Sequence, residues 1–243
     1  MLPNIMSERR LHWETVSPLL RETLDILMTE KLFCPFRLVG GTNLSLRYGH
    51  RLSVDIDLFT DVEYGSLDFR SFEQFLREHF PFYACSDTTS IVAFGRGYYI
   101  GRSAEDCIKL DLMYSDPFLE NPEVIDNVRM AGIKDIIAMK MNVVSRGGRK
   151  KDFWDLHFLL GEYTLANMFR FHARRYEWEH NPEELLDRFT DFTEADQSPD
   201  PVCLLGKKWD EIKLDLVTAV DEYLEDRILK HQHTSINSVQ RNN

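Results

Sequence analysis

Residues 38–59 read LVGGTNLSLRYGHRLSVDIDLF, and this stretch decides the fold. Gly40 and Gly41 close the short apolar run that begins at Phe36, and Asp55 and Asp57 stand one residue apart in a second, extended apolar run. Side chains i and i+2 of a strand share a face, so the two aspartates project together while Val54, Ile56 and Leu58 fill the other face. Neighbouring carboxylates repel, and a cation between them relieves the repulsion. Hard oxygen donors on a rigid strand suit Mg²⁺. A half-exposed edge strand carrying Asp twice on its polar face would give the same pattern, so the flanking residues decide between a site and a surface.

Upstream, Thr42 to Tyr48 has Leu44 and Leu46 among polar neighbours and predicts a short helix. A strand that passes through Gly-Gly into a helix N-terminus exposes backbone N–H groups to an anion, and glycine lets that anion come close. The expected anion cradle and metal pair are therefore adjacent. Downstream, Ile108 to Met113 reads IKLDLM, with Ile108, Leu110 and Leu112 on one face and Lys109, Asp111 and Met113 on the other. If this strand lies beside the first, Asp111 joins Asp55 and Asp57 around one or two metal ions.

A Gly-Gly step followed by DxD resembles the nucleotidyltransferase superfamily related to DNA polymerase beta. The longer wording, GGT, a leucine-rich turn, GHR, Ser53 and DIDLF, is similar to the AbiEii/AbiGii toxin-type nucleotidyltransferases. The likeness continues in DIIAMKMNVVSRGGRKKDFWDLHFLL, residues 135–160, where that family has a helix with an essential lysine and a basic loop leading to an Asp-x-x-Asp step. It implies an α+β fold, a small mixed nucleotidyltransferase sheet flanked by helices and followed by a mainly helical C-terminal region. It also implies transfer of NMP from an NTP, with Mg²⁺ as one or two ions, to an acceptor hydroxyl on tRNA or another macromolecule such as a protein, and a cognate antitoxin. Carried over residue by residue, Asp55, Asp57, Asp111 and Lys140 would be catalytic, the three aspartates holding metal. Gly40, Gly41, Thr42, Ser53, Lys151, Asp152 and Asp155 would contact the nucleotide. Thr42 stands where the wider superfamily usually has Ser, a change that keeps the hydroxyl.

The 243 residues can bury a sizeable core, and 43% hydrophobic with 28% charged residues is an ordinary globular balance. A net charge of −11 argues against indiscriminate nucleic-acid binding, which needs clustered Lys and Arg. No run approaches 18 apolar residues and MLPNIMSERR has no apolar signal core, so the expectation is a cytoplasmic protein without membrane contact. Cys34, Cys85, Cys107 and Cys203 are widely spaced and indicate neither a zinc site nor a disulfide framework. The expected organisation is a nucleotidyltransferase core, residues 1–125, and a helical domain, residues 126–243, which contributes Lys140 and the Arg146–Asp155 segment to the site. Within the core, residues 11–29 and Asp68–His79 predict helices, the second with Phe69, Phe72, Phe75 and Leu76 on a core stripe. Phe82–Tyr99 predicts a hairpin turning at Gly95-Arg96-Gly97.

In the expected helix Ile133–Arg146, Lys140 falls inside the apolar stripe, and in the next helix Asp152 and Asp155 share a face with Leu156 and Leu159. Inward charges of opposite sign predict a buried bridge between the helices, a lysine that neutralises a triphosphate while the aspartates orient basic groups or contact the nucleotide or acceptor, or both together. The loop Arg146-Gly147-Gly148-Arg149-Lys150-Lys151 would be solvated or would clamp phosphate. Met168, Phe169, Phe171, His172, Tyr176 and Trp178 interleave with Arg170, Arg174 and Arg175, which reads as core plus a solvated face or as a surface that stacks on RNA. The His231–Asn243 segment is polar and expected to fray. Rival functions are an aspartate-nucleophile phosphatase or DxD glycosyltransferase, an aminoglycoside-type small-molecule nucleotidyltransferase, and a catalytically inactive nucleotide-binding module. The phosphatase pattern DxDxT fails because Phe59 fills the threonine place.

Overall fold

A computed structural model describes residues 10–85 and 94–240, with side chains up to residue 229. The reading of residues 1–9 as free of a signal core, and the hairpin residues Ile91 and Val92, lie outside the described residues. The chain divides into two compact units, residues up to 136 with 202–205, and residues 137–201 with 206–243.

The first unit contains, in order, α1 (Pro18–Thr29), β1 (Arg37–Leu38), α2 (Gly40–Tyr48), β2 (Asp55–Thr60), α3 (Phe69–His79), β3 (Phe82–Cys85), β4 (Gly95–Gly101), β5 (Cys107–Tyr114), β6 (Glu123–Ile125) and β7 (Val128–Met130). The strands make one mixed sheet in the order β3-β4-β5-β2-β1-β7-β6. β2 runs parallel to β5 and antiparallel to β1, and β4 is antiparallel to both β3 and β5. Alternation in β2 and β5 buries Ile56, Leu58, Ile108, Leu110 and Leu112 on one face and leaves Asp55, Asp57, Lys109 and Asp111 half-open on the other. That asymmetry makes one face a core and the other a candidate working surface.

The buried face is covered by α1 and α3. Pro18 opens α1 after the cap of Ser17, whose hydroxyl accepts from Leu20 N, and Leu20, Leu24 and Leu27 are fully buried. The helix is shorter than the predicted 11–29 because residues 13–15 form a separate 3₁₀ turn before Pro18. Asp68 caps α3, and its aromatic stripe is core: Phe72 lies 5.2 Å from Phe33 and 5.5 Å from Phe36 between ring centroids.

Three expectations change. β3 and β4 are an antiparallel pair, but Gly95, Arg96 and Gly97 belong to β4, where Gly97 pairs with Asp111 of β5, so the glycines are strand residues rather than the turn. Val54 precedes β2 and is 68% exposed, so only Ile56 and Leu58 fill the apolar face. The unit boundary falls between Ile136 and Ile137 rather than near 125, because β6 and β7 extend the sheet through the Leu38–Met130 pairing.

The boundary lies inside α4 (Ile133–Val144), whose Asp135 accepts from the backbone N–H groups of Leu119 and Glu120. The second unit continues with α5 (Lys150–Leu159), α6 (Leu165–Arg175), α7 (Pro182–Phe189) and α8 (Trp209–Gln240). Its core gathers Phe153, Trp154, Leu156, Met168, Phe189, Ile212 and Leu216. In α6 Met168, Phe169, Phe171, His172 and Arg175 are buried, while Arg170 and Arg174 are exposed and Trp178, beyond the helix end, is 96% exposed, so the run divides into a core stripe and an open face. α8 runs well beyond the expected frayed segment's start at His231. The class is α+β, a mixed sheet flanked by helices and followed by a mainly helical region.

Candidate active site

The open face of the β2–β5 pair assembles the carboxylates. Parallel register sets Asp57 beside Asp111 and Asp55 beside Lys109, with Asp111 beside Gly97 of β4 on its other side. Residues far apart in the chain therefore share one patch of sheet. Lys109 Nζ stands 2.5 Å from Asp111 Oδ2. Partial burial pulls the lysine pKa down, but the hydrogen bond to Asp111 and the charges of Asp111, Asp57 and Asp55 outweigh it and raise the value. The lysine is thus held as a cation by all three carboxylates.

Gly40 opens α2 at φ +68°, a conformation glycine adopts without strain, and a Cβ there would lie 2.2 Å from Asp57 Oδ2. Asp57 thus occupies the space a side chain would take at the helix N-terminus, where the helix dipole favours its charge. At Gly41 a Cβ would meet the guanidinium of Arg51 at 2.2 Å. Asp57 O accepts from Val39 N at 2.9 Å, which ties the strand to the glycine step. Thr42 and Ser53 are buried, with their hydroxyl oxygens 2.8 Å apart, and the Thr42 hydroxyl also donates to Asp55 O. Their visible work is to fix the approach to β2. Asn43, fully buried, donates to Leu38 O at 2.8 Å and Ala131 O at 3.2 Å, clamping α2 between β1 and the end of β7.

Among the described residues no group of three or more His, Cys, Asp and Glu side chains is arranged to hold a metal ion as it stands. The donor chemistry nonetheless fits a hard divalent cation: Asp55, Asp57 and Asp111 offer only carboxylate oxygens, and the position between them attracts the Lys109 ammonium.

The remaining expected residues form their own cluster in the helical unit. Lys140 Nζ lies 2.7 Å from Asp152 Oδ1 and 2.7 Å from Asp155 Oδ2, with the lysine 6% exposed. Asp152 Oδ2 also accepts from Arg149 N at 3.1 Å, closing a capping box on α5. Burial raises the Asp152 pKa, yet the Lys140 charge and hydrogen bond prevail and hold it below the usual carboxylate range. The buried bridge predicted as one of two readings is what these side chains make. In the basic loop Arg146 pairs with Glu179 at 2.5 Å and Lys150 with Asp200 at 2.8 Å, while Lys151 is half-buried in the first turn of α5.

Lys109, Arg51 and Asn43 were not among the expected site residues. Lys109 carried a signal, since the pleat that aligns Asp55 with Asp57 also aligns Lys109 with Asp111. Arg51 lay within the GHR wording, but its approach to Gly41 depends on how the loop folds back.

Sheet order, one open carboxylate face and the glycine step beside it define a nucleotidyltransferase fold. JHP933 from Helicobacter pylori shares that fold at 23% identity and a TM-score of 0.51, with 90% of this chain and 96% of that chain covered. A second Helicobacter pylori structure, solved as a candidate nucleotidyltransferase, aligns at 21% identity and a TM-score of 0.50 over 84% of this chain and 95% of that one. An uncharacterised protein of Aquifex aeolicus (strain VF5) is 34% identical over 152 residues, which are 59% of this chain and 66% of that protein. The match thus spans just under two thirds of that relative's length. Residues 23–231 match the family described as nucleotidyl transferase AbiEii toxin, type IV TA system, and the chain belongs to that family.

Proposed function

We propose that the chain transfers a nucleoside monophosphate from an NTP to an acceptor hydroxyl, as the enzymatic component of a toxin–antitoxin pair acting in the cytoplasm. The observation that carries this reading is the β2–β5 register, which sets Asp57 beside Asp111 and next to the Gly40 step. Asp55, Asp57 and Asp111 would hold Mg²⁺, as one ion or two, and the metal would supply charge neutralisation on the triphosphate. The backbone N–H groups at Gly40 and Gly41 would bind phosphate oxygens, while Thr42 and Ser53 keep the glycine step and β2 in place. Asp111 would accept the proton of the acceptor hydroxyl, whose oxygen then forms a bond to the α-phosphorus in line with departing pyrophosphate. Lys109 would leave Asp111 for the leaving phosphates as the substrate arrives. Within the helical unit, the bridge of Lys140 to Asp152 and Asp155 would hold together the helices that carry Lys151.

The proposed acceptor is a tRNA end, with a protein as the alternative. The acid balance of −11 favours a cationic small molecule as a second reading. Purified protein incubated with each α-labelled NTP, Mg²⁺ and total tRNA tests all three. Label is expected on RNA with wild-type protein and is expected to disappear in Asp57→Asn, which keeps the fold. Label on protein or on an added aminoglycoside would redirect the acceptor assignment, and transfer by Asp57→Asn at the wild-type rate would overturn the site.

A further inference from the structure

Within the helical unit, α8 carries two apolar stripes and packs only one. Trp209, Ile212, Leu216 and Val220 are buried, and Tyr223 stacks on Phe169 with centroids 5.2 Å apart. A second stripe runs through Leu214, Val217, Asp221, Leu224 and Ile228, in steps of three, four, three and four. That is the spacing of a coiled-coil seam, on a different face from the packed stripe. Its apolar members are 66%, 37%, 40% and 57% exposed in chain order. From Leu224 to Leu229 every side chain is exposed, so this stretch of helix has no buried face of its own. Helical segments in water are marginal without tertiary packing, and leucines left bare gain nothing from burial.

We propose that this face docks one basic amphipathic helix of a partner polypeptide. The seam spans about 21 Å at the helical rise per residue, enough for a partner helix to lay two heptads along it. Charge selects the occupant. Asp221 sits in the middle of the seam, and Glu211 and Glu225 line one flank, all exposed. On the other flank Lys213 pairs with Asp196 and Asp210 and Arg227 lies over the Tyr223 ring, so those cations already have partners within the chain. A partner must bring Lys or Arg to Asp221, Glu211 and Glu225, as flanking charges do in coiled coils. A second copy of the chain fits poorly: paired in register along this seam in either direction, Asp221 meets Asp221. Nucleic acid is repelled by the same carboxylates.

The probe is a fluorescent three-heptad peptide with Leu at the seam positions, Lys at the flanks and one seam Lys opposite Asp221. Its twin carries Glu in place of each Lys. Titrated with the full chain, the Lys peptide is expected to bind saturably at one to one, with the Glu twin at least ~10-fold weaker, a difference of ~1.4 kcal/mol. Leu224→Asp adds negative charge at an exposed position and is expected to abolish binding, whereas a purely electrostatic contact would tighten. Asp221→Lys is expected to reverse the preference between the peptides. Circular dichroism checks that each variant keeps its helices, and Val217→Asp serves if Leu224→Asp does not. No saturable binding, equal binding of the twins, or binding that survives Leu224→Asp overturns the proposal. So does a dimer in light scattering that Leu224→Asp dissolves, which would make a second copy the occupant.

Discussion

Lys140 carries two sequence readings, and the buried bridge is the one that a stability measurement reads. Its ammonium is buried against Asp152 and Asp155, so replacing it with Met removes the cation that lies between two buried carboxylates. Removing one partner of such a buried pair costs about 3–5 kcal/mol, and Lys140→Met is expected to lower the urea midpoint accordingly. A variant with wild-type stability would return the lysine to a substrate role. His172 supplies a second test. It is buried, with Nδ1 2.9 Å from His180 Nδ1 and Nε2 without a hydrogen-bond partner among the described residues. Burial, followed by the neighbouring His180 and Arg146, lowers its pKa to about 4, with Glu179 opposing. The folded value lies below the ordinary 6.5, so between those values the unfolded chain binds a proton that the folded chain does not. Stability therefore falls as pH drops through that window, by up to roughly 3 kcal/mol. Denaturant midpoints at several pH values should show this slope, and His172→Phe should flatten it. Asp152 works in the same direction at lower pH, because its depressed value is lost once the carboxyl protonates.

At the scale of elements, α2 is the part that brings backbone to the carboxylates. Asn43 anchors it through Leu38 O and Ala131 O, and Arg47 adds bonds to Asn43 Oδ1 at 2.9 Å and Ala131 O at 3.0 Å. Asn43→Ala removes its bonds to Leu38 O and Ala131 O and the acceptor of Arg47 Nε, although Ala131 N and Arg47 still reach the two carbonyls, and is expected to cost about 1–3 kcal/mol, read from thermal unfolding. Gly40→Ala acts differently. Its positive φ costs a non-glycine residue about 1–2 kcal/mol, and its methyl would also displace the Asp57 carboxylate. The expected result is a modest loss of stability with a much larger loss of transfer, and equal losses would show that the cradle serves folding alone. The helix expected over Thr42–Tyr48, which begins two residues earlier at Gly40, and the strand at Asp55 were legible because each writes its period locally. The Gly95–Gly97 strand was misread as a turn because glycine marks both turns and places where another backbone comes close; Gly95 lies against Leu112 O of β5.

For the whole molecule, the acid balance governs which partners approach. Total RNA is expected to be retained only weakly at ~0.15 M salt, since screened and sparse cations cannot offset the carboxylates. Filter binding across a salt series checks this, and strong retention would point to a basic surface that the charge count hides. No helix among the described residues is long and apolar enough to cross a membrane. The boundary between the units was placed too early because β6 and β7 are only three residues each, too short to show alternation, and declare themselves only by pairing with the sheet. By itself the sequence determined the glycine step, the Asp55 and Asp57 pair, the apolar faces of both site strands and membership in the family, because all of these are local order and spacing. Tertiary structure alone decided that Lys109 faces Asp55, that Arg51 closes on Gly41, and that Lys140 reaches both Asp152 and Asp155 at once. The physical reason is that register between strands, and the partner a buried charge finds, depend on which apolar faces meet across the core. Spacing along the chain limits those meetings but does not choose among them.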